Sequence, residues 1–151
     1  MAISDNSGNI IAPLVIRPVN KHDTELLPES FLNLMDIADL LDLDLTKAAI
    51  TLDSGFDSNY NRAMIGRYGL RAVIKPNRRK TTNPSKLEAM ADMIQSDQDI
   101  YKERYKIERC FAWEDVYRKL VIRYERLQST HLGFKYLAYS MINLRWFIRK
   151  K

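Results

Sequence analysis

The stretch from Ala48 to Pro76 constrains the fold more than any other. Ala48-Ala-Ile-Thr-Leu52 is a short apolar run stopping at Asp53, the pattern of a buried strand with a polar end. Gly55 breaks the strand, and Asp57 or Ser58 can cap a helix over roughly residues 59–67. Gly69 closes that helix, and Arg71-Ala-Val-Ile74 forms a second short strand halted by Lys75-Pro76. Strands alternating with helices argue for an α/β layer with a parallel component. Ligands gather at the C-terminal ends of parallel strands, and Asp53 stands at one of them.

Other elements follow from spacing. Ile3 ends a short strand, Asn6-Ser-Gly8-Asn9 supplies turn chemistry, and Ile10–Val19 resumes an extended run, which together predict a hairpin. Pro13 and Pro18 bracket the second strand and assign it toward a sheet edge. Leu32-x-x-Met35-x-Ile37-Ala38-x-Leu40-Leu41 has helical spacing, with Asp36, Asp39 and Asp42 on the other side. Residues 77–84 form a polar, basic loop. Ser85 caps a helix to about Ile94, and another helix starts near Asp99. A last helix runs from about His131 to Ile148, with Leu137, Met141, Leu144 and Ile148 on one face. Lys135, Asn143 and Arg145 interrupt it, so it reads as a buried helix and not as a membrane span.

With 151 residues the chain has the length of one domain. Residues 1–69 carry five Lys/Arg against ten Asp/Glu, while residues 70–151 carry nineteen against nine. That asymmetry points to a polyanionic partner on the C-terminal half, or to a solvated basic surface. The single cysteine, Cys110, excludes an internal disulfide framework and fits a reducing cytoplasm. The first residues have neither a charged n-region nor an apolar h-region, so no secretory signal is expected.

Chemistry-bearing residues lie farther along. On one continuous helix Tyr101, Arg104, Glu108 and Asp115 fall within about 60° of one another. Ile100, Ile107 and Phe111 lie beside that stripe, which sets Glu108 at the edge of a buried face. The same spacing also suits an exposed helix laced with i,i+4 salt links. Asp53, likewise, can be a plain strand-end aspartate that caps its turn. His22-Asp23 is too little for a metal-dependent phosphohydrolase, with His131 the only other histidine. No Gly-x-Ser-x-Gly elbow is present for a serine hydrolase.

Three segments taken together carry more. Asp53-Ser-Gly-Phe-Asp-Ser, Tyr101-x2-Arg104-x3-Glu108-Arg109-x-Phe111-x-Trp113 and Arg123-Tyr124-Glu125…Leu132-Gly133-Phe134 resemble bacterial insertion-sequence transposases of the DDE type. Asn20-Lys-His22-Asp23 matches a further segment of that family, and the resemblance runs from about Asp5 to Phe147. It implies an RNase H-like fold, with Asp53 and Glu108 as catalytic carboxylates that also hold Mg²⁺ or Mn²⁺. It implies DNA contacts from Tyr101, Arg104 and Arg109, and it favours DNA backbone over solvent for Lys75, Arg78, Arg79 and Lys80.

The match departs from the pattern at two points. Asp115 stands where the signature has a lysine, so the resemblance implies that this DNA contact is lost or moved to Arg118 or Lys119. The first catalytic Asp belongs on a strand before the opening hairpin. The expectation is therefore a partial catalytic domain lacking its first, central strand and the N-terminal DNA-binding region. Such a chain is expected to be inactive alone and either marginally stable or self-associating through unpaired strand edges, unless an upstream reading-frame product complements it. An inactive DNA-binding remnant or accessory product of an insertion sequence is the alternative. No membrane partner is expected.

Overall fold

β1 (Ala49–Leu52) and β2 (Arg71–Ile74) pair in parallel with Leu52 opposite Ile74, so the chain leaves both strands at the same edge. In this computed structural model, which describes residues 1–17, 22–77 and 82–149, they form a two-stranded sheet with α2 (Asn59–Arg67) as the crossover. The chain divides into two units, Met1 with Val15–Arg104 and Ala2–Leu14 with Tyr105–Lys151. Mixed helix and strand with a parallel pair is the α/β class expected. Among the described residues, no helix is long and apolar enough to cross a membrane.

The first unit also holds α1 (Asp23–Leu40), α3 (Pro84–Gln95) and α4 (Gln98–Lys102). α1 buries Leu27, Phe31, Leu34 and Ala38, one row along a helix. Leu27 and Phe31 pack with Leu52, Ile65, Leu70 and Ile74 into the core beneath the sheet. Each such side chain contributes about 1.5–3 kcal/mol on full burial. The predicted stripe is displaced: Leu32, Leu40 and Leu41 are exposed, and the helix starts at Asp23 although Pro28 lies inside it. α1 ends where Asp42 turns left-handed (φ 51°) and the Leu43 N–H reaches back to the Ala38 carbonyl at 2.8 Å. That is a Schellman stop with Asp in the usual glycine position.

α2 has the bounds expected. Ser58 Oγ accepts from the Asn61 N–H at 3.1 Å, so Ser58, not Asp57, is the cap. Gly69 follows the helix at φ 77°, a conformation that strains any residue with a Cβ. Asn83 caps α3, accepting from the Ser85 N–H at 3.0 Å, and Pro84 takes the first helical position, where its missing N–H costs nothing. The expected Ser85 cap is thus two residues late.

The second unit packs α5 (Tyr105–Glu114) and α6 (Arg118–Val121) against α7 (Gln128–Arg149) around Cys110, Tyr139 and Ile142. Two polar interruptions of α7 are its anchors. Lys135 pairs with Glu114, and the Asn143 side chain bonds both the N–H (3.1 Å) and the carbonyl (2.9 Å) of Ile10. The Leu14 N–H is likewise taken by the Tyr136 hydroxyl at 3.1 Å. These helix side chains take backbone groups of Ile10 and Leu14, and the Ile10 pair faces away from the first strand. The expected hairpin is kept as the Asp5–Asn9 turn, one Ser4–Ile10 bridge and two further backbone bonds, Ile11 N–H to the Ile3 carbonyl (3.0 Å) and Val15 N–H to the Met1 carbonyl (3.1 Å); Pro18, Val19, Asn20 and Lys21 lie outside the described residues. The apolar face expected to bury α7 is also corrected, since Leu137, Met141, Leu144 and Ile148 are exposed while Ala138, Tyr139 and Ile142 are buried.

Candidate active site

Asp53 is the first residue past β1, and the sequence around it builds its own support. Its Oδ1 accepts from the Ser54 N–H at 2.7 Å, capping the 3₁₀ turn Ser54–Phe56, and its carbonyl accepts from the Phe56 N–H at 3.0 Å. Asn61, fully buried on α2, donates to the Phe56 carbonyl at 2.9 Å and holds the far end of that turn. The Asp53 side chain itself is about half exposed (55%). Its Oδ2 lies 3.9 Å from Nη1 of Arg104, whose guanidinium lies 5.8 Å from the Tyr101 ring centre. Lys75 follows Ile74, the partner of Leu52, and so shares the strand-end edge with Asp53. Arg62, Ile74, Lys75, Asp97 and Tyr101 border a shallow cleft there, with Asp97 paired to Arg71 at 3.1 Å.

Arg104 reaches this edge because the helix expected through Tyr101–Asp115 is broken. α4 stops at Lys102, the Glu103 and Arg104 N–H groups bond three residues back to Ile100 and Tyr101, and α5 begins at Tyr105. Tyr101 and Arg104 therefore belong to the first unit with Asp53, whereas Glu108 and Arg109 belong to the second. Arg78, Arg79 and Lys80 lie outside the described residues.

In the second unit Glu108 is on the exposed side of α5. Phe111 is exposed too, and Cys110 and Glu114 are the residues α5 buries; of the expected Ile100–Ile107–Phe111 face, Ile107 packs against that core, Ile100 on α4 is half-buried and Phe111 is not buried. Arg109 packs between the rings of Tyr105 and Trp113 (5.7 and 5.0 Å) and donates to the Ser7 carbonyl at 3.3 Å. Lys119 lies 5.1 Å from the Phe134 ring centre, and Arg118 and Asp115 are exposed. Glu114 accepts from both Lys135 and the Tyr139 hydroxyl. Burial, then the Glu114 charge, pushes the Cys110 thiol up to about 11, against a smaller pull from Arg109. Burial and the bond to Glu114 likewise raise Tyr139 well above the usual phenol range.

Residues 50–145 match the family model described as a transposase DDE domain. That span covers well over half of the chain. The chain belongs to the DDE transposases. Over 96 residues it is 31% identical to a protein assigned as a transposase for insertion sequence element IS6501 in Brucella ovis, covering 64% of this chain and 67% of that one. No solved structure matches it. In this DDE transposase the matched span opens inside β1 and closes inside α7, taking in Asp53, the α2 crossover, β2 and Glu108.

Sequence reasoning missed the ion pair that braces this edge. Asp57 Oδ1 accepts from Arg62 Nε at 3.0 Å and lies 2.9 Å from Nη2, and its Oδ2 accepts from the Asn77 N–H at 2.8 Å. Arg62 Nη2 also donates to the Ile74 carbonyl at 2.9 Å. Nothing in the spacing signals the pair, because Asp57 reads as a helix cap and Arg62 has no motif around it.

Proposed function

We propose that this chain serves DNA transposition, contributing carboxylates and phosphate-binding side chains to a reaction that cuts and joins DNA at insertion-sequence ends. An RNase H-like catalytic core is the fold this reading entails. The observation that carries it is the gathering of Asp53, Arg104, Tyr101 and Lys75 at the C-terminal edge of a parallel strand pair. A half-exposed carboxylate beside a guanidinium suits a phosphate that must be both held and attacked.

In the division of labour we infer, Arg104 and Lys75 draw the DNA phosphate toward Asp53. Tyr101 orients the Arg104 guanidinium from its ring face. Arg109 and the basic run Arg78, Arg79, Lys80 extend the contact along the DNA backbone. Asp53 and Glu108 are the metal-holding carboxylates. Among the described residues no three His, Cys, Asp or Glu side chains gather as a metal site. The donor chemistry nevertheless fits: Asp53 spends Oδ1 on a backbone N–H and leaves Oδ2 facing Arg104 at 3.9 Å, and oxygen donors suit a hard divalent ion. Bound Mg²⁺ or Mn²⁺ supplies charge for the attacking and leaving oxygens of an in-line displacement.

Electron paramagnetic resonance of Mn²⁺ titrated into the DNA-bound chain tests this. Asp53→Asn and Glu108→Gln are each expected to weaken Mn²⁺ binding at least about tenfold, and Asp115→Asn to leave it unchanged. Equal Mn²⁺ affinity in all four proteins refutes the metal-holding role and leaves the chain as a DNA-binding surface. The reading also entails self-association, because among the described residues each strand of the two-stranded sheet has an edge without a strand partner. Sedimentation is expected to find species heavier than one chain, and a clean monomer contradicts this.

A further inference from the structure

The geometry points to Asp57 and Arg62 as positioning residues that fix Lys75 beside Asp53 for phosphate binding. The inference rests on the reading of this strand edge as the DNA site. Asp57 uses one carboxylate oxygen for Arg62 (3.0 and 2.9 Å) and the other for the Asn77 backbone N–H (2.8 Å). Arg62 spends its Nη2 again on the Ile74 carbonyl at 2.9 Å. Ile74 and Asn77 flank Lys75-Pro76, so the ion pair grips the backbone on both sides of the exposed lysine.

The pair is also tied to Asp53. Asp57 closes the 3₁₀ turn that Asp53 opens, its N–H bonding to the Ser54 carbonyl at 3.2 Å. Arg62 lies on α2, whose buried Asn61 holds the same turn through the Phe56 carbonyl at 2.9 Å. One carboxylate and one guanidinium therefore lock the exit of β2 to the exit of β1. Their side chains are only 13% and 24% exposed, too withdrawn for DNA to be their main partner. Both Asp57 oxygens and two Arg62 nitrogens are engaged inside the unit. Lys75 is the exposed cation between the two gripped backbone groups.

Charge gives the test its sign. Asp57→Asn removes a negative charge near the proposed phosphate site, and by electrostatics alone it tightens DNA binding. A positioning role has the opposite effect. The experiment measures affinity of the full chain for a fluorescently labelled DNA duplex by anisotropy, alongside melting temperature, for Lys75→Ala, Asp57→Asn, Arg62→Lys and the doubles with Lys75→Ala. Lys75→Ala is expected to weaken binding roughly fivefold, and Asp57→Asn to weaken it by a similar factor. The double variant is expected to bind no worse than either single, because a misplaced lysine has little left to lose.

Tighter or unchanged binding by Asp57→Asn overturns the inference, and so does a full additive loss in the double. If Lys75→Ala itself leaves affinity unchanged, the phosphate site is wrong and the positioning role falls with it. Should Asp57→Asn fail to fold, Arg62→Lys carries the same comparison, since a single ammonium cannot hold Asp57 and the Ile74 carbonyl in the fork geometry of arginine.

Discussion

Within the segment Asp53-Ser-Gly-Phe-Asp57-Ser58, one side chain is left for chemistry and the others build its mount. Asp53 points out half exposed, Asp57 turns inward to Arg62 and Asn77, and Ser58 caps α2. Asp53 is legible in the sequence because an apolar run that halts at an acid marks the place where a buried strand meets water. The separate roles of Asp57 and Ser58 are not, because both residue types cap helices and only Oγ of Ser58 is within reach of the Asn61 N–H. Removing that cap is a clean check. Ser58→Ala is expected to lower the unfolding free energy by about 1 kcal/mol in urea titration, through one lost hydrogen bond at the α2 N-terminus. No loss at all contradicts the assignment.

Among the elements, β1, α2 and β2 emerge from the sequence with bounds matching within a residue, since each combines a pattern with a stop signal at Asp53, Gly69 or Lys75-Pro76. Elements without such punctuation are harder to read. Pro28 hides the first half of α1, and a straight helix through Tyr101–Asp115 crosses a break that its composition does not announce. α7 misleads for a different reason: its polar residues Lys135 and Asn143 bind Glu114 and the Ile10 backbone, so the buried face follows them and not the leucine row. The packing of α5 on α7 has a pH signature. The Cys110 thiol is raised from 9.0 to about 11 by burial first and Glu114 second. An acid whose pKa is raised on folding favours the fold fully below its unfolded value. That contribution fades as pH climbs from about 9 toward 11. Tyr139, raised by burial and Glu114, acts in the same direction at higher pH. The urea midpoint is expected to fall across this window, and Cys110→Ala to flatten the fall. An unchanged slope in Cys110→Ala shows that the thiol is not the cause.

For the whole molecule, the charge division has a physical counterpart. The first 69 residues are net acidic and the rest strongly basic, and the sheet edge joins one acid of the first half, Asp53, to Lys75, Tyr101 and Arg104 of the second. Family membership is legible only as a resemblance carried by the Asp53–Ser58, Tyr101–Trp113 and Arg123–Phe134 segments together, and it is shown by the match over residues 50–145. The arrangement around Asp53 is not readable, because it depends on the break at Glu103-Arg104 and on a buried ion pair without a sequence signature. In the proposed reaction Asp53 and Glu108 hold a divalent ion against a DNA phosphate. Iron-mediated cleavage tests it most directly: Fe²⁺ replaces Mg²⁺, and radicals formed at the ion cut whatever lies beside it. The expected result is chain scission next to both Asp53 and Glu108 together with scission of the bound DNA, all lost in Asp53→Asn. Cuts elsewhere in the chain, or cuts that persist in Asp53→Asn, would contradict it.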